Sequence, residues 1–332
     1  MNGILQSALG GGRALLVGWI LPSAVNVLIF GFVIIPKFSG FGDDATRSAV
    51  FGLLGTVLLG LVLAALQTQL YRVLEGYLGW PERLFRAGRR CQLARKHLLR
   101  GRLNAATLVL REQPLSEADT ATLAEYRAHP VTSRYVDSDA PKGPVWLSLL
   151  EERLRRYPID DRQVTPTRLG NAIRRFEEYG YNHFCLDSQA LWHELNAVVP
   201  ESARKQAEDA RTNVDFFVCL LYGHLLVALA ALIDLCAGAP KSWPAVVTLL
   251  GLLVLSAVWY RVAVAATDDW AGAVRAMVNL GRQPLATSMG LTVPRQLAEE
   301  RAMWSLTADL ASSPYRGDFA DLDKYRAGET KS

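Results

Sequence analysis

The chain has 332 residues, half of them hydrophobic, with a formal net charge of +4 and four cysteines. It is too apolar for a disordered chain and too long and cysteine-poor for a disulfide-built secreted module. The small positive excess does not mark a nucleic-acid binder, and the apolar residues are bunched instead of recurring at a helix or strand period.

Four runs hold the bunched residues: 14–36, 48–71, 216–233 and 242–260 contain no charged side chain. A helix needs about 20 such residues to cross the hydrocarbon core. The fold class expected is therefore an all-α integral membrane protein, with four transmembrane helices arranged as two hairpins and a cytoplasmic helical domain inserted between them. The boundaries read as transmembrane helix 1 at 14–36 and helix 2 at 48–72, extending as a stalk to about residue 79. The helical domain follows at 80–212, then helix 3 at 214–237, helix 4 at 243–265, and C-terminal helices and tail at 266–332. The first run is longer than a signal-peptide core and has no small-residue cleavage pattern, so it reads as a retained span.

Lys and Arg beside the spans set the orientation. Residues 83–102 carry Arg83, Arg86, Arg89, Arg90, Arg95, Lys96, Arg100 and Arg102 with no acid among them. The two short connections are poor in positive charge, offering Lys37 and Arg47 against Asp43 and Asp44 in one and Lys241 in the other. The positive-inside rule places both connections outside and both termini in the cytoplasm of a bacterial inner membrane. Cys91, Cys185, Cys219 and Cys236 make no CxxC pair, and a disulfide framework is not expected.

Beyond the second span, QTQLYRVLEGYLG sustains a helix to Gly79, where Trp80-Pro81 stops it. Tyr71, Tyr77 and Trp80 suit the headgroup region. Residues 92–112 form a helix with Leu99, Leu103, Ala106 and Leu110 on one stripe, flanked by Arg95 and Arg102 on one side and Lys96 and Arg100 on the other. Those four cations are the candidate lipid-binding residues of a helix lying on anionic headgroups, the alternative being a packed helix with solvated charges. Ser116 caps a short helix to Ala128, residues 129–144 read as a loop, and 145–157 as a helix. Thr165-Pro166 starts a helix to Gly180, Asp187 caps another to Val198, and Pro200 opens one that runs into the third span. The fourth span continues through ATDDWAGAVRAMVNLGR, a helix covers 294–311, and the residues after Ser312 read as frayed.

Three stretches, ALQTQLYRVLEGYLGWP, PTRLGNAIRRFEEYGYNHFCLDSQALWHEL, and AVRAMVNLGRQPLATSMGL with EERAMWSL, resemble a set of uncharacterised multi-pass bacterial membrane proteins to which no activity is assigned. The resemblance spans most of the chain. It implies a four-span fold and no particular chemistry. Similar sequences often carry Tyr-Pro where this chain has Tyr179-Gly180, and Trp-Pro-Arg where it has Trp192-His193-Glu194.

Counted inward from the outer connections, Asn26, His224 and Ser256 reach similar depth, forming a candidate midplane polar belt. Such a belt lines a pore or relays protons, or else ties helices together by hydrogen bonds. Asp215 and Arg261 are expected to pair near the inner mouth, either locking or gating the hairpin. His183, Cys185, Asp187 and His193 lack metal-ligand spacing, so no metal is expected. No P-loop, dinucleotide fingerprint, HExxH or GxSxG occurs, and neither a catalytic residue nor a cofactor is assigned.

The expected function is non-enzymatic: an oligomer in which the cytoplasmic helical domain is coupled to a pore or another membrane response. The alternatives are a scaffold or anchor recruiting a cytosolic partner through the polybasic domain, and, third, a transporter or intramembrane enzyme. The expected partners are anionic lipid, further copies of the chain and a cytosolic protein, with no nucleic acid.

Overall fold

A computed structural model of the chain describes residues 12–33, 45–110, 114–128, 144–236 and 243–326. Most of both short connections and nearly all of the loop expected at 129–144 lie outside the described residues. Among the described residues the structure is helical with no strand, and one isolated antiparallel bridge joins Leu291 to Arg326. Four helices are long and apolar enough to cross a membrane, over Gly12–Phe32, Thr46–Ala65, Glu201–Cys236 and Ala245–Ser288.

The chain divides into two compact units, Met1–Tyr71 with Gly180–Ser332, and Arg72–Tyr179. The inserted unit thus ends at Tyr179, well before the expected boundary at 212. Residues beyond Gly180 belong with the apolar helices because of what they touch, as described below.

In the first unit, a π-helical turn (Leu16–Ile20) leads into α1 (Leu21–Val33), followed by α2 (Ala45–Ala65) and the start of α3 (Gln67–Glu75). After α8 (Tyr179–Phe184) and α9 (Trp192–Val198) come two unbroken helices, α10 (Glu201–Cys236) and α11 (Trp243–Ser288), which lie along one another. At 36 and 46 residues they extend about 54 and 69 Å, well beyond a hydrocarbon core of about 30 Å. Trp19, Leu63 and Cys219 form one buried cluster, and Val227, Ala228 and Leu252 form another. Leu53, Leu58, Leu229, Leu250 and Val254 instead face outward, as expected of helices solvated by lipid.

The polar half of α11 organises the rest of this unit. A side chain on Gly281 would overlap Leu195 of α9 and Val199 just past its end, so glycine lets α9 seat against α11. Arg282 grips Glu300 of α12 (Leu297–Ser312) through Nη1, at 2.6 and 2.8 Å, and lies 4.4 Å from the Phe184 ring centroid. Arg301 donates to the carbonyls of Asn182 and His183 at 3.0 and 2.6 Å. The tail expected to fray instead forms a 3-10 helix, Gly317–Tyr325, that buries Phe319, Leu322 and Tyr325. Their spacing of three matches the 3-10 period, and the Thr292 N–H donates to Tyr325 O at 2.7 Å.

The second unit contains the end of α3, α4 (Glu82–Val109), α5 (Glu117–Ala128), α6 (Pro144–Arg155), a 3-10 turn (Asp161–Gln163) and α7 (Arg168–Glu177). α3 stops at Glu75, short of the expected Gly79, because Gly76 takes φ +93° and the Pro166 ring occupies the space its side chain would need. Pro166 is therefore a packing residue, and Thr167, two positions after the expected cap, accepts from the Gly170 N–H at 3.0 Å to start α7. Trp80 donates to Val73 O at 2.9 Å, capping the end of α3 with its indole. Burial, reinforced by the charge of Glu177 and opposed by Arg72 and Arg174, pushes the Glu75 carboxyl up to about 7.

Candidate functional site

Buried polar side chains gather along one stripe of α10. Asp215, Cys219 and Gly223 stand four residues apart, so they share a face, with His224 beside the last. The facing residues come from the π-turn and α1. Pro22 has no N–H for Gly18 O, and its ring crowds that carbonyl. The helix widens there, and the Leu21 N–H reaches Leu16 O five residues back.

At the first rung, Asp215 is 6% exposed and accepts from Gln67 Nε2 at 2.9 and 3.1 Å and from Tyr71 OH at 2.7 Å. Gln67 and Tyr71 are one turn apart on α3, so one helix face supplies every donor. Tyr71 meets Trp270 edge-on with centroids 6.5 Å apart, and Arg211 lies over the Trp270 ring at 5.8 Å. Gly18 sits close enough that a methyl there would press on the Asp215 side chain. At the second rung, Cys219 Sγ lies 3.5 Å from Ser23 Oγ and 3.4 Å from Trp19 O.

The third rung joins Asn26 to His224. Asn26 Nδ2 donates to Pro22 O at 2.8 Å, which turns Oδ1 toward His224 Nδ1 at 2.7 Å. With that amide orientation, the neutral ring carries its proton on Nδ1 and leaves Nε2 as the basic nitrogen. A side chain on Gly223 would overlap the Asn26 carboxamide, so the pair depends on glycine at this crossing. Trp259 meets the imidazole edge-on at 6.2 Å and stacks on Phe217 at 5.9 Å, with its own Nε1 buried and without an acceptor among the described residues. Nine residues separate Asp215 from His224, about 13 Å along the axis. Two titratable groups, with a separate thiol–hydroxyl rung between them, are thus shielded from the surroundings and can either bind a proton or lock the helices together.

Not every candidate joins this ladder. Ser256 is buried but donates to Leu252 O of its own helix at 2.8 Å, so two of the three expected belt residues meet. The expected Asp215–Arg261 pair is not formed: α3 satisfies the carboxylate, and Arg261 is exposed. Tyr71 is correspondingly buried and is not a headgroup anchor.

The residues read as lipid-binding are arranged differently from the expectation of a surface-lying helix. Leu99, with Leu103 beside it, packs on Leu150, Tyr157 and Leu154, so this part of the apolar stripe is covered by protein. Lys96 is 1% exposed, bonded to Asp161 Oδ1 and to Ile159 O at 2.9 Å. That hydrogen bond and charge hold the Asp161 carboxyl below the usual range. Arg95 and Arg102 are half-buried, and Arg100 is exposed. Asp187 accepts from the Gln189 and Ala190 N–H groups at 3.0 Å, and Cys185 takes φ +58° to end α8. No group of three or more His, Cys, Asp or Glu residues is placed to hold a metal ion among the described residues.

Sequence inspection identified Asn26, His224 and Asp215 but missed Gln67, Tyr71, Ser23 and Gly223. The i, i+4 polar pair at the end of the 48–71 run was the available signal for the first two. Compared with family models, curated proteins and solved structures, the chain matches none.

Proposed function

We propose that this is a non-enzymatic membrane protein of the bacterial inner membrane in which cytoplasmic helical segments receive a signal and the four-helix part answers it, as an oligomer, by opening a pore or another membrane pathway. The observation that carries the reading is the course of α10. One unbroken helix begins in charged sequence at Glu201 and ends in apolar sequence at Cys236, and the buried ladder starts where the two characters meet. A displacement of the polar half has to be absorbed at Asp215, Cys219 and His224, where partners from α3 and α1 hold it.

Ion and proton flux into proteoliposomes containing the full-length chain tests the proposal, with Asn26→Ala/His224→Ala as the comparison once its assembly is verified. Flux in the parent that is lost in the variant is the expected result. Absence of flux under any imposed pH difference, voltage or membrane tension removes the pathway and leaves anchorage of a cytosolic partner as the reading to pursue.

A further inference from the structure

The second unit contains a groove of about 390 Å³ between α4, α6 and the chain leading to α7. Arg100, Arg155 and Arg175 line it from three different helices, with Lys96 as a fourth cation and Glu151 as the sole acid. Leu103, Leu154 and Ile159 provide apolar lining between the charges. The volume is that of a small-molecule site, not of a nucleic-acid channel. Tyr157, its aromatic residue, has its hydroxyl engaged with Gln92 at 2.9 Å.

The charges in the groove are held unequally. Lys96 is tied to Asp161 and Ile159 O, so its charge is spent on that carboxylate and the binding of an anion falls to the arginines. Arg155 is exposed and paired at 3.0 Å with Glu151, an exposed residue one turn earlier on the same helix. Exposed pairs of this kind are weak, so a stronger anion displaces the carboxylate readily. Arg100 is exposed and close enough to Asp161 to add to its electrostatic field. Guanidinium forks match the oxygens of a tetrahedral phosphate, and several together favour a dianion over a monoanion.

We propose that this groove is a binding site for a phosphate monoester bearing a small apolar group, with the phosphate held by Arg100 and Arg155 and the apolar group set against Leu103, Leu154 and Ile159. The ester is either a soluble metabolite or the exposed headgroup of a phosphatidate-like lipid, since both present the same chemistry. The inference rests on the reading that helical segments outside the bilayer receive a signal, and it names the chemical class of that signal.

The test is calorimetric titration of the full-length protein in nanodiscs of neutral phosphatidylcholine, corrected with empty nanodiscs. Phenyl phosphate serves as the soluble ester, dihexanoyl phosphatidic acid as the lipid, and benzoate as a planar monoanion of similar ring size. Binding of either phosphate, weakened at least tenfold in Arg100→Gln/Arg155→Gln and at least tenfold weaker for benzoate, is the expected result. Phenyl phosphate alone identifies the soluble source, and the lipid alone the membrane source. Both substituted residues are exposed, and unchanged thermal unfolding of the variant verifies its fold. No binding of either phosphate, equal binding of benzoate, or undiminished binding to the variant overturns the proposal. Flux is measured separately: binding without a flux response leaves the groove standing and removes the coupling reading.

Discussion

Replacing Glu75 with Gln tests the electrostatics of the second unit, because the carboxylate is partly buried beside Glu177 and its pKa is pushed up from 4.5 to about 7. In the unfolded chain the group ionises near 4.5, whereas the folded protein resists ionisation until about pH 7. Below pH 4.5 both states hold the proton and the carboxyl costs nothing. Between pH 4.5 and 7 the unfolded state releases its proton first, stability is lost as pH rises, and above pH 7 the loss is complete. A shift of this size corresponds to about 3 kcal/mol at 1.36 kcal/mol per unit, and screening from the exposed side reduces it to about 2 kcal/mol. Gln keeps the shape and removes the charge. Glu75→Gln is therefore expected to stabilise the unit by about 2 kcal/mol at pH 8 and by almost nothing at pH 4. Urea unfolding of the full-length protein in neutral micelles, read by pulse proteolysis of fragments from residues 72–179, measures both values. Equal effects at the two pH values, or destabilisation at pH 8, would refute the reasoning.

Further substitutions probe the packing at three places. Gly223→Ala drives a methyl into the Asn26 carboxamide and is expected to cost about 1–3 kcal/mol, whereas Asn26→Ala/Gly223→Ala recovers most of that cost in thermal unfolding; strictly additive losses would show that the two residues do not interlock. Asp161→Ala leaves the buried Lys96 ammonium with Ile159 O and should cost about 3 kcal/mol, while Lys96→Met, which removes the buried charge itself, should cost less than about 1.5 kcal/mol; the reverse order in urea unfolding would contradict the assigned burial. Arg282→Gln strands the buried Glu300 and should lower stability by about 3 kcal/mol, with a change in Trp304 emission because its indole donates to the same carboxylate at 3.3 Å.

The apolar runs were legible because hydrocarbon imposes a length and forbids charge, and a requirement that stringent is written directly into composition. Depth was legible for the same reason: counting residues brought Asn26 and His224 to one level. Which neighbour a buried group chooses was not legible. Arg261 follows from folding one hairpin, but Asp215 is satisfied by Gln67 and Tyr71, about 145 residues earlier in the chain, and no local period encodes that distance. The stripe of Leu99 and Leu103 misled for a related reason. An amphipathic face states that something covers it without specifying lipid or protein, and here α6 does so. Thr165-Pro166 carried the composition of a helix start, but the proline was required between Gly76 and Gly88. The buried tail is written in the spacing of Phe319, Leu322 and Tyr325, which follows a period of three and not 3.6.

The π-turn at Leu16–Ile20 makes the first apolar helix sensitive to residue number as well as residue type. Each residue advances an α-helix by about 100°. Deleting one residue from this turn restores the regular winding and rotates the two flanking stretches relative to each other by roughly that angle. Trp19 and Asn26 could then no longer both face α10, although the hydropathy of the segment would hardly change. The first helix therefore behaves as a phase-setting element: a sequence identical in composition but one residue shorter would still suit a bilayer while losing the alignment of its buried polar partners.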